Sequence, residues 1–199
     1  MIVEEFVRLS QQQVLKLKNY EICSYTYRLS RQYCQNWIRA IDVGSKFGFY
    51  STNLQNDFLH VEAFDMRDKM RWKSLDKKKV NFYCVALGET SGEIEYSGAS
   101  TGITHADKTT NKALLKTLDS YNFNDVNYIK IDVEGDELSV LKGAKQTLAR
   151  CRPLIILEQN NVVEDFKKGT KFQARDWLLD NNYKVVDHNG TDDWILQHV

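Results

Sequence analysis

Short apolar segments of strand length recur along this chain, and stretches of helical composition separate most of them. "RAIDV", "FLHVEAFDM", "KVNFYCVALG", "VNYIKIDV" and "LIILEQ" are rich in β-branched and aromatic residues. Parallel neighbours cannot be joined by a tight turn, so this alternation predicts a mostly parallel sheet with helices on both faces. The chain closes differently. "YKVVDHNGTDDWILQ" reads as two strands around an Asn-Gly turn, a strong hairpin signal. The expected architecture is α/β, a three-layer sandwich with a C-terminal antiparallel hairpin.

Residues 10–37 hold no glycine or proline, and Ile22, Tyr25, Leu29 and Tyr33 follow a helical spacing. That predicts one long helix, with a possible break near Tyr20. "RDKMRWKSLDKKK" reads as an exposed helix, "SGEIEYS" as a short extra strand, and Gly98 to Lys108 as a mobile loop. "KALLKTLDSYNF" suits helix or strand. From Asp136 to Arg150, Leu138, Leu141, Ala144 and Leu148 mark one helical face, with acids in the first turn and Arg150 at the end. Pro153, the only proline, precedes "LIILEQ", and "FQARDWLLDNN" is a further helix.

The 199 residues suffice for one core. Residues 1–38 read as a helical segment packing on the main domain, residues 39–199. With 27 basic and 27 acidic residues, net charge gives no argument for nucleic acid or an acidic membrane surface. No apolar run reaches bilayer-spanning length, and the N-terminus lacks the pattern of a secretory signal. The four cysteines form no CxxC pair, which fits reduced thiols. A soluble cytoplasmic protein is expected, with no membrane partner.

The first strand ends in Asp42 and runs into Val43-Gly44-Ser45-Lys46-Phe47-Gly48. Dinucleotide sites usually carry G-x-G-x-x-G, and the absent third glycine argues against a tightly gripped pyrophosphate. An acid at the strand end suits a cationic group, and the helix start beyond it suits a carboxylate. A ligand with both is amino-acid-like, and S-adenosylmethionine fits. Strand two ends in Asp65, where a carboxylate can accept from two ribose hydroxyls. The plainer reading of both features is an ordinary strand-helix turn plus a surface aspartate.

"AIDVGSKFGFYS", "VEAFDM", "VALGETSGEIEYS" and "TLDSYNFNDVNYIKIDVEGDELSVLKGAKQTLARCRPLIILE" resemble, in this order, the FkbM-type methyltransferase family. The resemblance runs from about Arg39 to Glu158 and continues more weakly through "NNYKVV". It implies the class I methyltransferase fold, Rossmann-like, with a seven-stranded sheet whose last strand is antiparallel. It also implies methyl transfer from S-adenosylmethionine, commonly to a hydroxyl of a sugar or small metabolite, leaving S-adenosylhomocysteine. Asp42, Gly44 and Gly48 match the family's cofactor turn, and Asp65 matches its ribose acid, where glutamate is more usual. Ser45, Lys46 and Phe47 depart from the usual small, Asn-rich turn, yet Ser45 and Phe47 keep their place in the expected cofactor site. Ala86 and Leu87 fall where adenine is expected.

Methylating an alcohol requires aligned partners and removal of a proton. The crevice of such a sheet lies beyond the strand carboxyl ends, which puts Asp132 and Glu134 beside the reacting centre. Asp132 is the first choice of base because it ends its strand. Period-two alternation puts Tyr128, Lys130 and Asp132 on one face. A buried lysine needs a partner, so Lys130 joins the catalytic set chiefly as a positioner of Asp132 or Glu158. Asp132 and Glu134 could carry a divalent metal, without a histidine nearby in sequence. His60 and Glu62 read as core or edge residues, and His105 as a loop residue that could face the acceptor. Two other functions compete. The basic run around Trp72 suits an RNA or other nucleic-acid methyltransferase, and an intact pocket without catalysis suits a silent cofactor-binding protein.

Overall fold

The computed structural model describes residues 7–97, 110–159 and 172–199. Its strands are β1 (Arg39–Val43), β2 (His60–Asp65), β3 (Val80–Cys84), β4 (Ala86–Leu87), β5 (Gly92–Ser97), β6 (Thr110–Lys116), β7 (Val126–Ile131), β8 (Leu154–Glu158), β9 (Tyr183–His188) and β10 (Asp193–His198). Seven of them form one sheet in the order β3-β2-β1-β7-β8-β10-β9. β10 pairs antiparallel with both β8 and β9, while the other five strands pair in parallel. The expected seven-stranded, mostly parallel sheet with its terminal hairpin is present. A second sheet, β4-β6-β5, stands apart from it, so "KALLK" resolves as strand and Leu118–Tyr121 as a 3-10 turn.

Alternation along the strands sorts the core into two layers. Ile41, Val43, Ile129, Ile131, Ile155 and Leu157 pack on one face with α4 (Glu137–Lys142), α5 (Lys145–Cys151) and α6 (Gln173–Asp180). Ala40, Tyr128, Leu154 and Ile156 pack on the other with α2 (Asn19–Arg31) and α3 (Phe49–Leu54). The α3 crossover leaves β1 on one face and the α4–α5 crossover leaves β7 on the opposite face. Adjacent strand ends with diverging connections open a crevice between them.

Several expected elements differ. The long N-terminal helix is two, α1 (Gln11–Val14) and α2, because Glu21 accepts from the Lys18 amide at 2.7 Å and caps a new start. It stops at Arg31, short of residue 37. The Asp136–Arg150 helix is interrupted at Gly143, where a Cβ would lie 1.9 Å from the Gly88 carbonyl oxygen. "RDKMRWKSLDKKK" holds only a single 3-10 turn, Trp72–Ser74. Its buried anchors are Met70 and Leu75, a five-residue spacing that no helical face provides. The expected loop at Gly98–Lys108 lies outside the described residues, as does His105.

Candidate active site

The turn after β1 is fastened on both sides. Gly44 and Ser45 amides donate to the Phe64 carbonyl at 2.9 and 3.0 Å, and the Asp132 amide donates to Val43 at 3.0 Å. Gly44 has φ +80°, and a Cβ there would sit 1.7 Å from the Asp132 carbonyl oxygen. Only glycine lets the end of β1 lie this close to the end of β7. Gly48, with φ +78°, instead makes room for the Met70 sulfur and lines no part of the crevice.

Two adjoining cavities fill the crevice. The first, about 630 Å³ including its open mouth, has Val43, Phe64, Val85, Ala86, Leu87 and Ile94 as its apolar walls and Asp65 at its rim. Asp65 accepts from the Lys46 amide at 2.9 Å and the Arg67 amide at 2.8 Å. Each of its oxygens retains acceptor capacity for a hydroxyl. An apolar slot ending in such a carboxylate suits a nucleoside. The expected Asp65, Ala86 and Leu87 meet here, joined by Val85, Ile94 and Arg67, which the sequence reading missed.

The second cavity, about 870 Å³, lies against α2 and is lined by Ser45, Phe47, Phe49, Tyr50 and a group of acids. Gly44, Lys46, Asp132 and Glu134 border both cavities. Glu134 holds a left-handed backbone, φ +58°, in a loop steadied by Glu137, which accepts from the Gly135 amide at 2.8 Å and from Val133 at 3.3 Å. Ser45 is buried, and its hydroxyl has no hydrogen-bond partner among the described residues. A buried hydroxyl at a cavity wall is an open position for a polar ligand atom.

Asp42 is buried, and its carboxylate accepts from the Ser51 hydroxyl at 2.6 Å. Burial pushes it up to about 6, against the pull of that hydrogen bond and of Lys130. Lys130 stands opposite Asp42 in the β1–β7 register and reaches Asp193 at 2.9 Å and Glu158 at 3.4 Å. Burial alone would lower its pKa, but Asp193, Glu158 and Asp132 together raise it, so it stays an ammonium. Its closest partner, Asp193 on the terminal hairpin, was not foreseen. Asp193 also accepts from Thr26 at 2.8 Å and Asn189 at 2.7 Å, which ties α2, β7 and the hairpin to one carboxylate.

Asp132 and Glu158 both border this cavity and influence each other electrostatically. Burial raises both, and Glu158 is pushed up to about 8, with Lys130 opposing and Asp132 reinforcing. Near neutral pH Glu158 therefore keeps its proton. Cys23, which also borders this cavity, is pushed up to about 12 by burial and is no thiolate nucleophile. Glu62 accepts from Arg39, Asn81 and Tyr83 and belongs to a satisfied polar cluster, while His60 is exposed. Among the described residues no group of three or more His, Cys, Asp or Glu side chains has a metal-holding arrangement.

The sheet order and the crevice at the β1 and β7 ends define a class I methyltransferase fold. Solved structures that share it include the following three. An FkbM methyltransferase from Methylobacillus flagellatus matches with a TM-score of 0.56 and 13% identity over 94% of this chain and 58% of that one. An rRNA methylase from Streptococcus thermophilus matches at 0.54 and 11% over 87% and 94%. A Streptococcus mutans protein solved in complex with SAH matches at 0.52 and 13% over 90% and 97%. The chain thus spans little more than half of the Methylobacillus protein's length. No curated protein sequence matches significantly. The profile of the FkbM methyltransferase domain matches residues 73–185, and the chain belongs to that family.

Proposed function

We infer that this protein transfers a methyl group from S-adenosylmethionine to a hydroxyl oxygen of a sugar, glycan or small metabolite. The observation that carries the reading is the junction of the two cavities at Gly44, Asp132 and Glu134: a nucleoside-shaped slot opens directly onto an acidic chamber. The residues present fit the cofactor. Val85, Ala86 and Leu87 suit adenine, Asp65 suits the ribose hydroxyls, and the unpartnered Ser45 hydroxyl suits a polar atom of the amino-acid part. When bound, the cofactor supplies an electrophilic methyl group.

The remaining work falls to the chain. Asp132 takes the acceptor's proton, Glu134 orients the acceptor from the loop, and Lys130 holds the carboxylates in place. Asp42 acts on the ligand through the turn it fixes with Ser51, and its negative charge favours a cation nearby. Incubation with methyl-labelled cofactor and a panel of sugars and hydroxylated metabolites tests the reading. Label in an alkali-stable ether is expected, and label confined to amines would overturn the oxygen assignment.

A second reading rests on the exposed residues Lys69, Arg71, Lys73, Lys77 and Lys78, which suit a polyanion such as RNA. The acidic floor of the chamber counts against it. Salt-dependent retention on RNA would favour it, and absence of binding at low salt would end it.

A further inference from the structure

The turn after β1 carries a cation that the fold leaves uncommitted. Among the described residues, the cations bordering the two cavities are Lys46, Arg67 and Lys130. Lys130 is engaged by Asp193 and Glu158, and the Arg67 guanidinium stands 3.8 Å from Asp65. The Lys46 ammonium has no ion-pair partner among the described residues, although Lys46 borders both cavities. The preceding residue, Ser45, is 5% exposed and lines the acidic chamber with its hydroxyl unpartnered. Lys46 also holds a left-handed backbone, φ +50°, fixed by the 2.9 Å bond from its amide to Asp65. A turn of that shape disfavours a lysine, and an outlier of this kind beside a crevice points to a ligand.

We propose that Lys46 and Ser45 form a carboxylate-binding site, which takes the carboxylate of the cofactor's amino-acid end. The assignment rests on the cofactor reading above and deepens it. A carboxylate presents two acceptor oxygens, which suit one ammonium and one hydroxyl donor on adjacent residues. The same end of the ligand carries an ammonium, and Asp132 and Glu134 supply the opposite charge from the same cavity.

Position along the crevice supports this. Asp65, at the rim of the nucleoside slot, fixes the Lys46 amide, so one carboxylate sets both the ribose end and the lysine. A ligand with its nucleoside in the slot and its sulfur at the Gly44–Asp132 junction directs its amino-acid end into the chamber that Ser45 and Lys46 line. The start of α3, where the sequence suggests an anion, suits one poorly. That helix has six residues, and its cap Gly48 turns to the Met70 sulfur and away from the crevice. Few peptide dipoles add up in so short a helix. Asp42, Asp132, Glu134 and Asp193 all line the chamber, so a carboxylate enters it only beside a local cation.

Isothermal titration compares S-adenosylmethionine with decarboxylated S-adenosylmethionine, which keeps the sulfonium and the amine and lacks only the carboxylate. Wild-type protein is expected to prefer the carboxylated ligand at least ~10-fold, the scale of a charge-assisted hydrogen bond. Lys46→Gln should lower that preference at least ~10-fold, and Lys46→Arg should restore most of it, with circular dichroism checking that both variants fold. Equal binding of the two ligands by wild-type protein, or tighter binding of the decarboxylated one, overturns the proposal and decides even if a variant fails to fold. An unchanged preference in folded Lys46→Gln overturns it as well, including the case in which only turnover suffers because the lysine serves an anionic acceptor. Failure of wild-type protein to bind either ligand overturns the cofactor reading itself.

Discussion

Lys130 Nζ lies 2.9 Å from Asp193 Oδ1, so a charge in the central strand β7 is held by the carboxylate that begins the last strand. Both side chains are almost wholly buried, at 5% and 6% exposure. A buried pair of this kind gives little net stability against an apolar replacement, yet removing one partner strands the other. Asp193→Asn is therefore expected to cost ~3 kcal/mol, near the low end for such pairs because Glu158 remains in reach of Lys130. Thr26→Val, which removes one hydrogen bond to Asp193, should cost ~1 kcal/mol. Urea unfolding of the two variants checks the order, and equal losses would contradict it.

The pH dependence of stability follows from Glu158. Its folded value of about 8 exceeds the ordinary 4.5, so the native state holds the proton more tightly than the unfolded chain across that window. Stability is greatest at the acid end for this group and is lost as pH rises toward 8. His188, lowered by burial, works in the opposite direction but only below its ordinary 6.5. Between pH 6.5 and 8.5 the melting temperature should fall, and Glu158→Gln should flatten the slope. With a third of the side chain exposed, solvent screening reduces the effect to the order of 1 kcal/mol, or ~2–4 °C. A melting temperature that rises over this range would contradict the assignment.

Gly44→Ala is expected to destabilise the protein by at least ~2 kcal/mol, since it adds a Cβ against the Asp132 carbonyl and demands a left-handed alanine. Gly92→Ala is the control. Nothing lies within 4 Å of a Cβ there, and its effect should stay within ~0.5 kcal/mol. Thermal melts of both variants compare them directly.

Much of this site is legible in the chain because strand ends carry it. Asp42, Asp65 and Asp132 each follow an apolar run, and a parallel sheet brings such ends to one edge whatever the intervening sequence. The rest depends on contacts between distant segments. Asp193 stands 63 residues from Lys130, inside a hairpin whose Asn-Gly signal says nothing about what its flanking acid will meet. The break at Gly143 comes from the Gly88 backbone, and the basic run fails as a helix because Met70 and Leu75 are pulled under Gly48 and α3. Ser45 and Phe47, expected in the cofactor site from their place in the turn, line the acidic chamber and not the nucleoside slot.

Asp65→Asn should leave the fold in place and weaken S-adenosylmethionine binding at least ~10-fold, because hydrogen bonds to a charged acceptor are worth ~1.5–3 kcal/mol. Circular dichroism and calorimetry separate the two effects. Unchanged affinity would remove Asp65 from the site.

A crystal structure with S-adenosylhomocysteine bound tests the central claim most directly. Adenine is expected between Val85, Ala86 and Leu87, the ribose hydroxyls on Asp65, and the sulfur at the Gly44–Asp132 junction facing the acidic chamber. Density for the ligand elsewhere, or an empty crevice at saturating ligand, would contradict the account.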